Sequence, residues 1–414
     1  MAREMKDSCI KWVGDIPISW KVLPNKYIMH KIKEICPIYN GEDILSLSVK
    51  GVNIRDLDAG GKMPSTFNGY QRLHKGNLLM CLFDMDVTPC CIGRINNEGL
   101  TSPAYSQFVV HKGVYRDFYY YYYLMLDNSK ELVHLAKNLR HTITEDQLGN
   151  IKIPLPPFSE QQAIADFLDG KCGEIDGLLA DLDTEVKTLA EYKKSIIAET
   201  VTRGLNHNAP TKPSGIPWAE TIPVHWTTVR GKYALRLLQR QVKEDDGVVT
   251  CFRDGQVTLR SNRREDGFTM SDKEYGYQGI EPGDLVVHGM DGFAGAIGIS
   301  DSRGKGTPVL NVLDSDNNKR YLMYYLRNMA YGNVFMALST GIRVRSCDLN
   351  WKKLGEIRIV LPPIEEQDAI AAYLDEKCAI IDQSITEKQT QIETLKSYKS
   401  SLIYEYVTGK KQVI

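Results

Sequence analysis

The sequence lacks a long hydrophobic run, so it offers no candidate for a membrane-spanning helix. Its longest apolar stretch, from Phe118 to Leu126, has nine residues, whereas a helix needs about 20 residues to cross a bilayer. The first residues, Met1-Ala-Arg-Glu-Met-Lys-Asp, also lack the apolar segment of a secretory signal peptide. We therefore expect a cytoplasmic protein that has no membrane partner.

Paired cysteines and clustered histidines are also missing. The chain has nine cysteines and eight histidines but no C-x-x-C pair. The adjacent Cys90 and Cys91 suit neither a disulfide framework nor a zinc ribbon, and the histidines show no spacing typical of metal ligands. In the reducing cytoplasm we expect free, partly buried thiols, and we expect this chain to bind no metal or cofactor.

A strong excess of either charge is absent as well. The 51 Lys and Arg residues and the 52 Asp and Glu residues give a net charge of −1. The charge is unevenly distributed, at +2 over residues 1–150, −4 over 151–204, +4 over 205–354 and −3 over 355–414. Local patches rather than totals set the affinity for phosphate. This balance therefore does not exclude nucleic acid, but it predicts a partner that supplies more positive surface.

What the sequence does contain is a duplication. Residues 155–202 and 361–408 align without a gap at an offset of 206, and 24 of the 48 aligned positions are identical. Upstream matches at the same offset include Trp20 with Trp226. A period this long indicates two half-molecules rather than a solenoid. A duplicated chain suits a two-fold target such as duplex DNA.

Each copy of the repeat predicts helices. Leu-Pro-Pro ends an extended segment and permits a helix to begin, so we expect a short helix that carries Ile164 and then a longer helix from Gly173 to Arg203. Each longer helix carries a stripe of apolar residues at heptad spacing, which we call the seam. One seam position is a lysine in both copies, Lys193 in the first and Lys399 in the second. The apolar seam residues are Ile175, Leu179, Leu182, Val186, Leu189 and Ile196 in the first copy and Ile381, Ile385, Ile392, Leu395 and Leu402 in the second. An apolar stripe this narrow is buried by a single partner helix, and the second copy of the repeat supplies that helix.

Outside the helical repeats the sequence favours mixed secondary structure. Runs such as 77–83 and 284–288 predict strands between Gly, Asn and Asp turns, while 119–125 favours a helix. We therefore predict an α+β fold for each globular block. The predicted divisions are globular domains at 1–154 and 217–360, helical regions at 155–204 and 361–414, and a Pro- and Gly-rich linker at 205–216.

These motifs together resemble the specificity subunit of type I restriction–modification systems, the HsdS family. The resemblance is carried by Lys6-Asp-Ser-Cys-Ile-Lys-Trp-Val-Gly-Asp-Ile-Pro-Ile-Ser-Trp20, Lys212-Pro-Ser-Gly-Ile-Pro-Trp218, the two Leu-Pro-Pro-x-x-Glu-Gln segments and Val201-Thr-Arg-Gly-Leu205. It covers essentially the whole chain. One departure is the exit from the helical repeat, where Arg203-Gly204 aligns with Gly409-Lys410.

The resemblance implies a fold and a function that the residues alone do not establish. It implies two target-recognition domains separated by two long helices packed as an antiparallel coiled coil, with a pseudo-two-fold relation. Each domain would read one half of a bipartite, asymmetric site in double-stranded DNA, and the helices would set the spacing. Two methyltransferase subunits that use S-adenosylmethionine would dock on the helices of this non-catalytic chain, joined by restriction/translocase subunits that use ATP and Mg²⁺.

Catalytic motifs are not found in the sequence. Leu155-Pro-Pro-Phe158 has the shape of an adenine-methyltransferase turn, but leucine stands where a polar residue must accept a hydrogen bond from the amine. The segment from Gly298 to Gly306 is one residue too long for a P-loop and lacks its hydroxyl residue. We therefore predict no catalytic site in this chain.

Sequence readout in DNA needs hydrogen-bond donors, and arginine is the donor most often used for guanine. Arginines cluster in the second globular block and more loosely in the first, and neighbouring cations add their attraction for phosphate. For any single one, a solvated surface arginine is the alternative. The candidate DNA contacts are Arg55, Arg72, Arg94, Arg140, His141, Arg253, Arg260, Arg263, Arg264, Arg303, Lys305, Arg343 and Arg345.

Other functions fit parts of this pattern. A stand-alone DNA-binding regulator needs one recognition block per chain, whereas this chain has two. A scaffold protein without a modification partner would not contact DNA, so it would not need the arginine clusters that this chain carries. An enzyme with an unrecognised site would form product from methyl donor and DNA without any partner subunit.

Overall fold

The chain divides into two compact units, each of which combines one globular block with part of both helical regions. The computed structural model describes residues 3–58, 64–136, 141–263, 275–338 and 349–413. Unit 1 consists of Met1–Asp183 with Thr390–Ile414, and unit 2 consists of Thr184–Gln389. The predicted domain bounds cut the chain differently, because they assign each helical region to a domain of its own.

The described residues form short strands and eight α-helices. The strands are β1 Met5–Asp7, β2 Asp15–Pro17, β3 Lys21–Pro24, β4 Met29–Ile32, β5 Leu45–Ser48, β6 Gly51–Ile54, β7 Gln71–Leu73, β8 Leu78–Met80, β9 Ile92–Arg94, β10 Gly99–Thr101, β11 Ser106–Val110, β12 Lys152–Leu155, β13 Thr211–Pro213, β14 Thr221–Pro223, β15 Thr227–Arg230, β16 Arg236–Leu237, β17 Val249–Cys251, β18 Val257–Leu259, β19 Gln278–Ile280, β20 Leu285–His288, β21 Ile297–Ile299, β22 Gly304–Gly306, β23 Leu310–Asp314 and β24 Arg358–Leu361. The helices are α1 Arg116–Asn128, α2 Glu145–Asn150, α3 Phe158–Arg203, α4 Gly231–Ala234, α5 Lys319–Tyr331, α6 Val334–Ala337, α7 Trp351–Leu354 and α8 Ile364–Val407.

The core of unit 1 is a four-stranded antiparallel sheet in the order β4-β11-β8-β9. Helix α1 packs against this sheet. Of the five consecutive tyrosines in α1, Tyr119, Tyr121, Tyr122 and Tyr123 are buried. Their rings fill the core, since aromatic side chains contribute most there through the large apolar area they bury. These four rings are therefore not free to stack on nucleic-acid bases.

Unit 2 repeats this topology although its globular sequence barely matches that of unit 1. Its four-stranded antiparallel sheet has the order β16-β23-β20-β21, and α5 takes the place of α1. Smaller two-stranded ladders also recur: β1-β2 corresponds to β13-β14, β3-β12 to β15-β24, β5-β6 to β17-β18, and β7-β10 to β19-β22. The predicted fold class of two α+β blocks with two long helices is confirmed.

The predicted linker at 205–216 contains a strand. Thr211–Pro213 forms β13 and pairs antiparallel with β14, with Lys212 opposite Ile222. The side chain of Ile216 is buried in the core of unit 2. This part of the range therefore belongs to the second block, which the proline-rich composition concealed because prolines also occur at edge strands.

The helical repeats form one continuous helix each, so the prediction of a short helix followed by a longer one was wrong. Helix α3 has 46 residues and α8 has 44. Gly170, Gly173 and Gly177 lie inside α3, where glycine costs up to about 1 kcal/mol relative to alanine, and packing of the apolar stripe overrides that cost. None of the helices in the described ranges is long and apolar enough to cross a membrane.

Within each unit the two long helices run antiparallel. In unit 1 the rings of Phe167 and Tyr406 lie 4.5 Å apart, and further along α3 the carboxylate of Asp176 meets Lys399. As the residue number rises on α3, it falls on α8. In unit 2 the same direction follows from the pairs of Glu185 with Lys388 and of Lys193 with Asp382.

Candidate nucleic-acid interface and helix seam

The repeated Leu-Pro-Pro-x-x-Glu-Gln motif anchors the start of each long helix to its globular block. In unit 1 the indole Nε1 of the fully buried Trp20 donates to Oε2 of Glu160 at 2.9 Å. Gln161, also buried, accepts from the backbone N–H of Tyr115 and donates to the carbonyl of Pro156, both at 2.8 Å. The Glu and Gln therefore bond the helix to the tryptophan and to the beginning of α1.

Unit 2 repeats these bonds. Trp226 Nε1 donates to Oε2 of Glu366 at 2.9 Å. Gln367 accepts from the backbone N–H of Asn318 at 3.0 Å and donates to the carbonyl of Pro362 at 2.9 Å. The motif that identifies the repeat in the sequence thus has a structural role, because it fixes the position at which each long helix leaves its globular block.

The ends of the long helices also return to these tryptophans. Gly204 follows α3 with a φ of +75°, and Gly409 lies beyond the end of α8 with a φ of +72°. A Cβ on Gly204 would lie 2.9 Å from the Trp226 ring, and one on Gly409 would lie 2.5 Å from Pro17. The exit turns are therefore alike, although the sequence alignment offsets them by one residue.

The seam residues lie on the facing sides of α3 and α8 and are buried or half-buried. Ile175, Ile381, Ile392 and Leu402 are each 6% exposed. The half-buried members are Leu179, Leu182, Val186, Leu189, Ile196, Ile385 and Leu395. Burial raises the pKa of the neighbouring thiols of Cys172 and Cys378, so both remain protonated at neutral pH.

Three candidate arginines of unit 2 come together around the hairpin formed by β17 and β18. The guanidinium of Arg263 lies 4.2 Å from the centre of the Phe252 ring and 2.8 Å from Asp254. Arg253, at the turn of the hairpin, lies 2.8 Å from Asp291 and is 59% exposed. Arg260 directs Nε toward Thr250 Oγ1, at 3.4 Å. Carboxylates that hold a guanidinium orient its remaining donors, which suits bidentate recognition.

Sequence reasoning missed Arg327 and His288, which support this hairpin. Arg327, on α5, donates to the carbonyl of Asp254 at 2.6 Å. His288 Nδ1 accepts from the backbone N–H groups of Met290 and Asp291. Burial lowers the pKa of His288, so the ring is neutral and able to accept at pH 7. No local signal marks Arg327, since its partner Asp254 lies 73 residues away.

The other described candidates of unit 2 lie just before β22 and within it. Arg303 is held by Asp246, at 3.1 Å, and by Glu281. Lys305 lies in β22 opposite Gly279 of β19. Arg264, Arg343 and Arg345 lie outside the described residues.

In unit 1 the candidate arginines have mainly structural partners. Arg94 Nε lies 3.0 Å from Asp117 and Nη2 lies 2.6 Å from Asp169, and its guanidinium stacks 4.2 Å from the Tyr120 ring centre. Its side chain is only 20% exposed. Arg94 therefore joins the sheet to α1 and α3, and its charge is balanced within the unit.

Arg72 and Arg55 of unit 1 lie nearer the surface. Arg72 pairs with Glu34 at 3.4 Å and with Glu42 at 3.2 Å. Backbone N–H groups of Asn40 and Glu42, together with Arg72, hold the pKa of the Glu42 carboxyl below its usual value. Arg55 is half-buried just after β6.

His141 and Ile143 lie beside the loop that follows the central strand β8. His141 Nε2 is 3.8 Å from Asp86, and Ile143 donates its N–H to the carbonyl of Leu82 at 2.9 Å. In unit 2, Leu349 likewise donates to the carbonyl of Gly289, after β20, at 2.8 Å. Arg140 lies outside the described residues.

Comparisons with known proteins agree with this architecture. The family model described as the type I restriction modification DNA specificity domain matches residues 95–175. The putative type I restriction enzyme MjaX specificity subunit of Methanocaldococcus jannaschii is 25% identical over 291 residues, which cover 66% of this chain and 62% of the relative. The type I restriction enzyme StySPI specificity subunit of Salmonella potsdam is 21% identical over 272 residues, covering 63% and 58%. This chain thus spans about three fifths of these curated relatives.

A solved structure supplies the fold comparison. One chain from work on complex assembly and conformational transition of the type I restriction–modification system matches with a TM-score of 0.64 at 15% identity, covering 96% of this chain and 99% of the other. At that identity the likeness establishes the fold alone. In its duplicated helical motifs, in the matched domain at residues 95–175 and in these relatives, the chain is thus similar to specificity subunits of type I restriction–modification systems.

Proposed function

We propose that this chain is the non-catalytic, sequence-specific subunit of a type I restriction–modification complex. Each globular block reads one half of a bipartite, asymmetric site in double-stranded DNA, and α3 and α8 set the spacing between the half-sites. Two methyltransferase subunits and, where present, restriction/translocase subunits supply the chemistry with S-adenosylmethionine, ATP and Mg²⁺. This chain binds none of these cofactors in the proposal.

The observation that carries the proposal is the pairing of one topology with two sets of polar residues. The sheet order repeats from unit 1 to unit 2, and both blocks are bonded to the long helices through the same Trp–Glu contact. The candidate donors differ, however. Unit 2 carries Arg253, Arg260 and Arg263 around one hairpin, and the Arg253 side chain is 59% exposed, whereas the Arg94 side chain of unit 1 is only 20% exposed. Two globular blocks that share one topology but carry different hydrogen-bond donors fit two half-sites of different sequence.

The test is sequencing of methylated bases in the host genome with and without the gene for this chain. We expect a two-part adenine-methylation motif that disappears when the gene is removed. Exchange of residues 217–340 for the block of another family member should change one half of the motif only. A motif that persists without the gene, or changes in both halves after the exchange, would contradict the proposal.

A further inference from the structure

One hairpin occupies the same place in both units. It is formed by β5 and β6 in unit 1 and by β17 and β18 in unit 2. In each hairpin the second strand packs over a glycine of the four-stranded sheet. A Cβ on Gly93 would lie 2.6 Å from Val52 Cγ2, and a Cβ on Gly298 would lie 2.9 Å from Val257 Cγ2. The two hairpins are therefore held on the sheet in the same way, although their sequences differ.

An arginine follows the second strand of both hairpins at an equivalent position. Arg55 donates its backbone N–H to the carbonyl of Ile44 at 2.7 Å. Arg260 donates its backbone N–H to the carbonyl of Val248 at 2.8 Å. A cation that two otherwise different hairpins share suits a phosphate, because phosphate contacts position a protein on DNA without reading its sequence.

The turns of the two hairpins differ in length and in chemistry. In unit 1 the turn consists of Val49 and Lys50, which lie between the last paired residues of β5 and β6. In unit 2 the turn is Arg253-Asp254-Gly255, one residue longer, and it is closed by Phe252, whose N–H donates to the carbonyl of Gln256 at 2.8 Å. Equivalent turns thus present a valine and a lysine in one block and an arginine in the other.

The turn of unit 2 fixes the orientation of Arg253. Asp291 accepts a hydrogen bond from Nη2 of Arg253 at 2.8 Å. Arg327 donates to the carbonyl of Asp254, in the same turn, at 2.6 Å. With one amino group held by a carboxylate, the guanidinium keeps donors for two further hydrogen bonds. Two such donors match the O6 and N7 acceptors that guanine presents in the major groove.

The turn of unit 1 presents an apolar side chain. Val49 is 72% exposed, and Lys50 beside it is exposed as well. Ser48 Oγ accepts from the N–H of Lys50 at 3.2 Å, and Asn53 Nδ2 donates to its carbonyl at 3.1 Å. A valine offers no hydrogen bond to a base, but it can contact the C5 methyl group of thymine, the apolar group of the major groove. The ammonium group of the neighbouring lysine suits a phosphate.

We propose that the two turns determine which base each block selects: Arg253 reads a guanine in the half-site of unit 2, and Val49 reads a thymine in the half-site of unit 1. This inference rests on the proposed function and adds the class of base to it. Arg55 and Arg260 hold the two hairpins on phosphates and contribute to binding without distinguishing bases.

The first test is sequencing of methylated bases in the host, where exchange of residues 217–340 assigns each half of the motif to its unit. We expect a guanine–cytosine pair in the half of unit 2, and Arg253→Ala should lower discrimination at that pair by about fivefold or more. We expect a thymine–adenine pair in the half of unit 1 that Val49→Ser no longer distinguishes. Both side chains are exposed, so neither variant should change the melting temperature.

Modified duplexes test the same contacts without changing the protein. The purified complex of this chain with its partner subunits is titrated with labelled duplex in which deoxyuridine replaces the thymine or 7-deazaguanine replaces the guanine. Loss of the thymine methyl group should weaken binding by about fourfold, and loss of the guanine N7 acceptor should weaken it by about fivefold. Neither modification should weaken binding further in the complex that carries the matching variant, since the contact is already absent.

Arg236→Ala is the matched control for the arginine. Arg236 is exposed and is held by Asp314 and Asp316, as Arg253 is held by a carboxylate. It lies on β16, whereas the hairpin packs over β21 at the other edge of the sheet. The control variant should keep both halves of the motif. An equal loss of guanine discrimination in this variant would overturn the assignment to the turn.

The outcomes separate this inference from the proposed function. If the complex with the unmodified chain produces no two-part motif, the proposed function fails and the base assignment fails with it. If a two-part motif is found but the half of unit 2 contains no guanine–cytosine pair, only the base assignment is overturned. It is also overturned if the variants discriminate as the unmodified chain does, or if the modified duplexes weaken binding equally with and without the matching substitution.

Discussion

Lys399 Nζ lies 2.6 Å from Oδ1 of Asp176 in unit 1. The 206-residue repeat places the same pair in unit 2, where Lys193 lies 2.6 Å from Asp382. The lysine side chains are 23% and 18% exposed. A lysine at a seam position is tolerated where a carboxylate on the facing helix reaches it, so these pairs favour one register of the antiparallel helices.

Removal of this pair should destabilise the helix packing in a salt-dependent way. Lys399→Ala should lower the free energy of unfolding by about 1 kcal/mol, and the double exchange Lys399→Asp with Asp176→Lys should restore part of it. Urea unfolding at low and high salt measures both effects. Lys396→Ala, which removes an exposed pair with Glu393 on one helix, is the control and should cost less. Equal losses for the two lysines would argue against a role in register.

The buried indole N–H groups predict a sharp difference between two substitutions of Glu160. Glu160→Ala leaves Trp20 Nε1 without its acceptor, and a buried unsatisfied donor costs about 1–3 kcal/mol. Glu160→Gln keeps an acceptor oxygen and should cost less. The same order should hold for Glu366 and Trp226. Thermal unfolding of the four variants tests this, and equal losses for Ala and Gln would mean that the hydrogen bond does not matter.

Glycines of the long helices should respond to alanine with opposite signs. Gly204→Ala and Gly409→Ala place a Cβ at positive φ and against Trp226 or Pro17, so each should destabilise the protein by more than about 1 kcal/mol. Gly173→Ala, inside α3 with no atom within 4 Å of the added Cβ, should stabilise it by up to about 1 kcal/mol. Melting temperatures compare the three, and a stabilised Gly204 variant would contradict the packing described.

Substitution of Arg253 should impair DNA recognition, whereas substitution of Arg94 should lower the stability of the protein. Arg253→Ala should weaken cognate DNA binding by about 1–3 kcal/mol and relax one half of the methylation motif, with little effect on stability because the side chain is 59% exposed. Arg94→Ala leaves Asp117 and Asp169 without their cation and should lower stability without changing the motif. Motif sequencing and melting of both variants decide the matter, and a changed motif in the Arg94 variant would place that residue at the DNA.

An insertion in the helices should change the gap between half-sites. Four residues added to α3 lengthen a helix by about 6 Å, which is near two base-pair steps of about 3.4 Å. We expect a methylation motif with an altered gap and unaltered halves. Altered halves with the original gap would show that the helices do not set the spacing.

Much of the framework is predictable from the sequence. The heptad stripe and the Leu-Pro-Pro starts are local patterns, and the repeat makes each helix the natural partner of its copy. The prediction of two helices in each repeat was wrong, because α3 and α8 each continue without interruption through the expected junction. The strand at Thr211–Pro213 was missed because composition alone does not reveal a ladder partner.

The candidate DNA interface is likewise predictable from the sequence only in part. Arginine positions are visible in the sequence, but their roles depend on which carboxylates the fold brings to them. Arg94 meets Asp169, 75 residues away, while Arg253 meets Asp291 at an exposed turn. Arg327 shows no signal in the sequence, since its partner Asp254 lies on another element.

The sequence by itself determined that this protein is doubled and that each half contributes a long helix with one apolar stripe, because identity and periodicity are written along the chain. Only the tertiary structure decided that the dissimilar blocks share one topology, which cations are balanced within the fold and which remain at the surface. Those outcomes depend on contacts between residues distant in sequence, and such contacts exist only after the chain has folded.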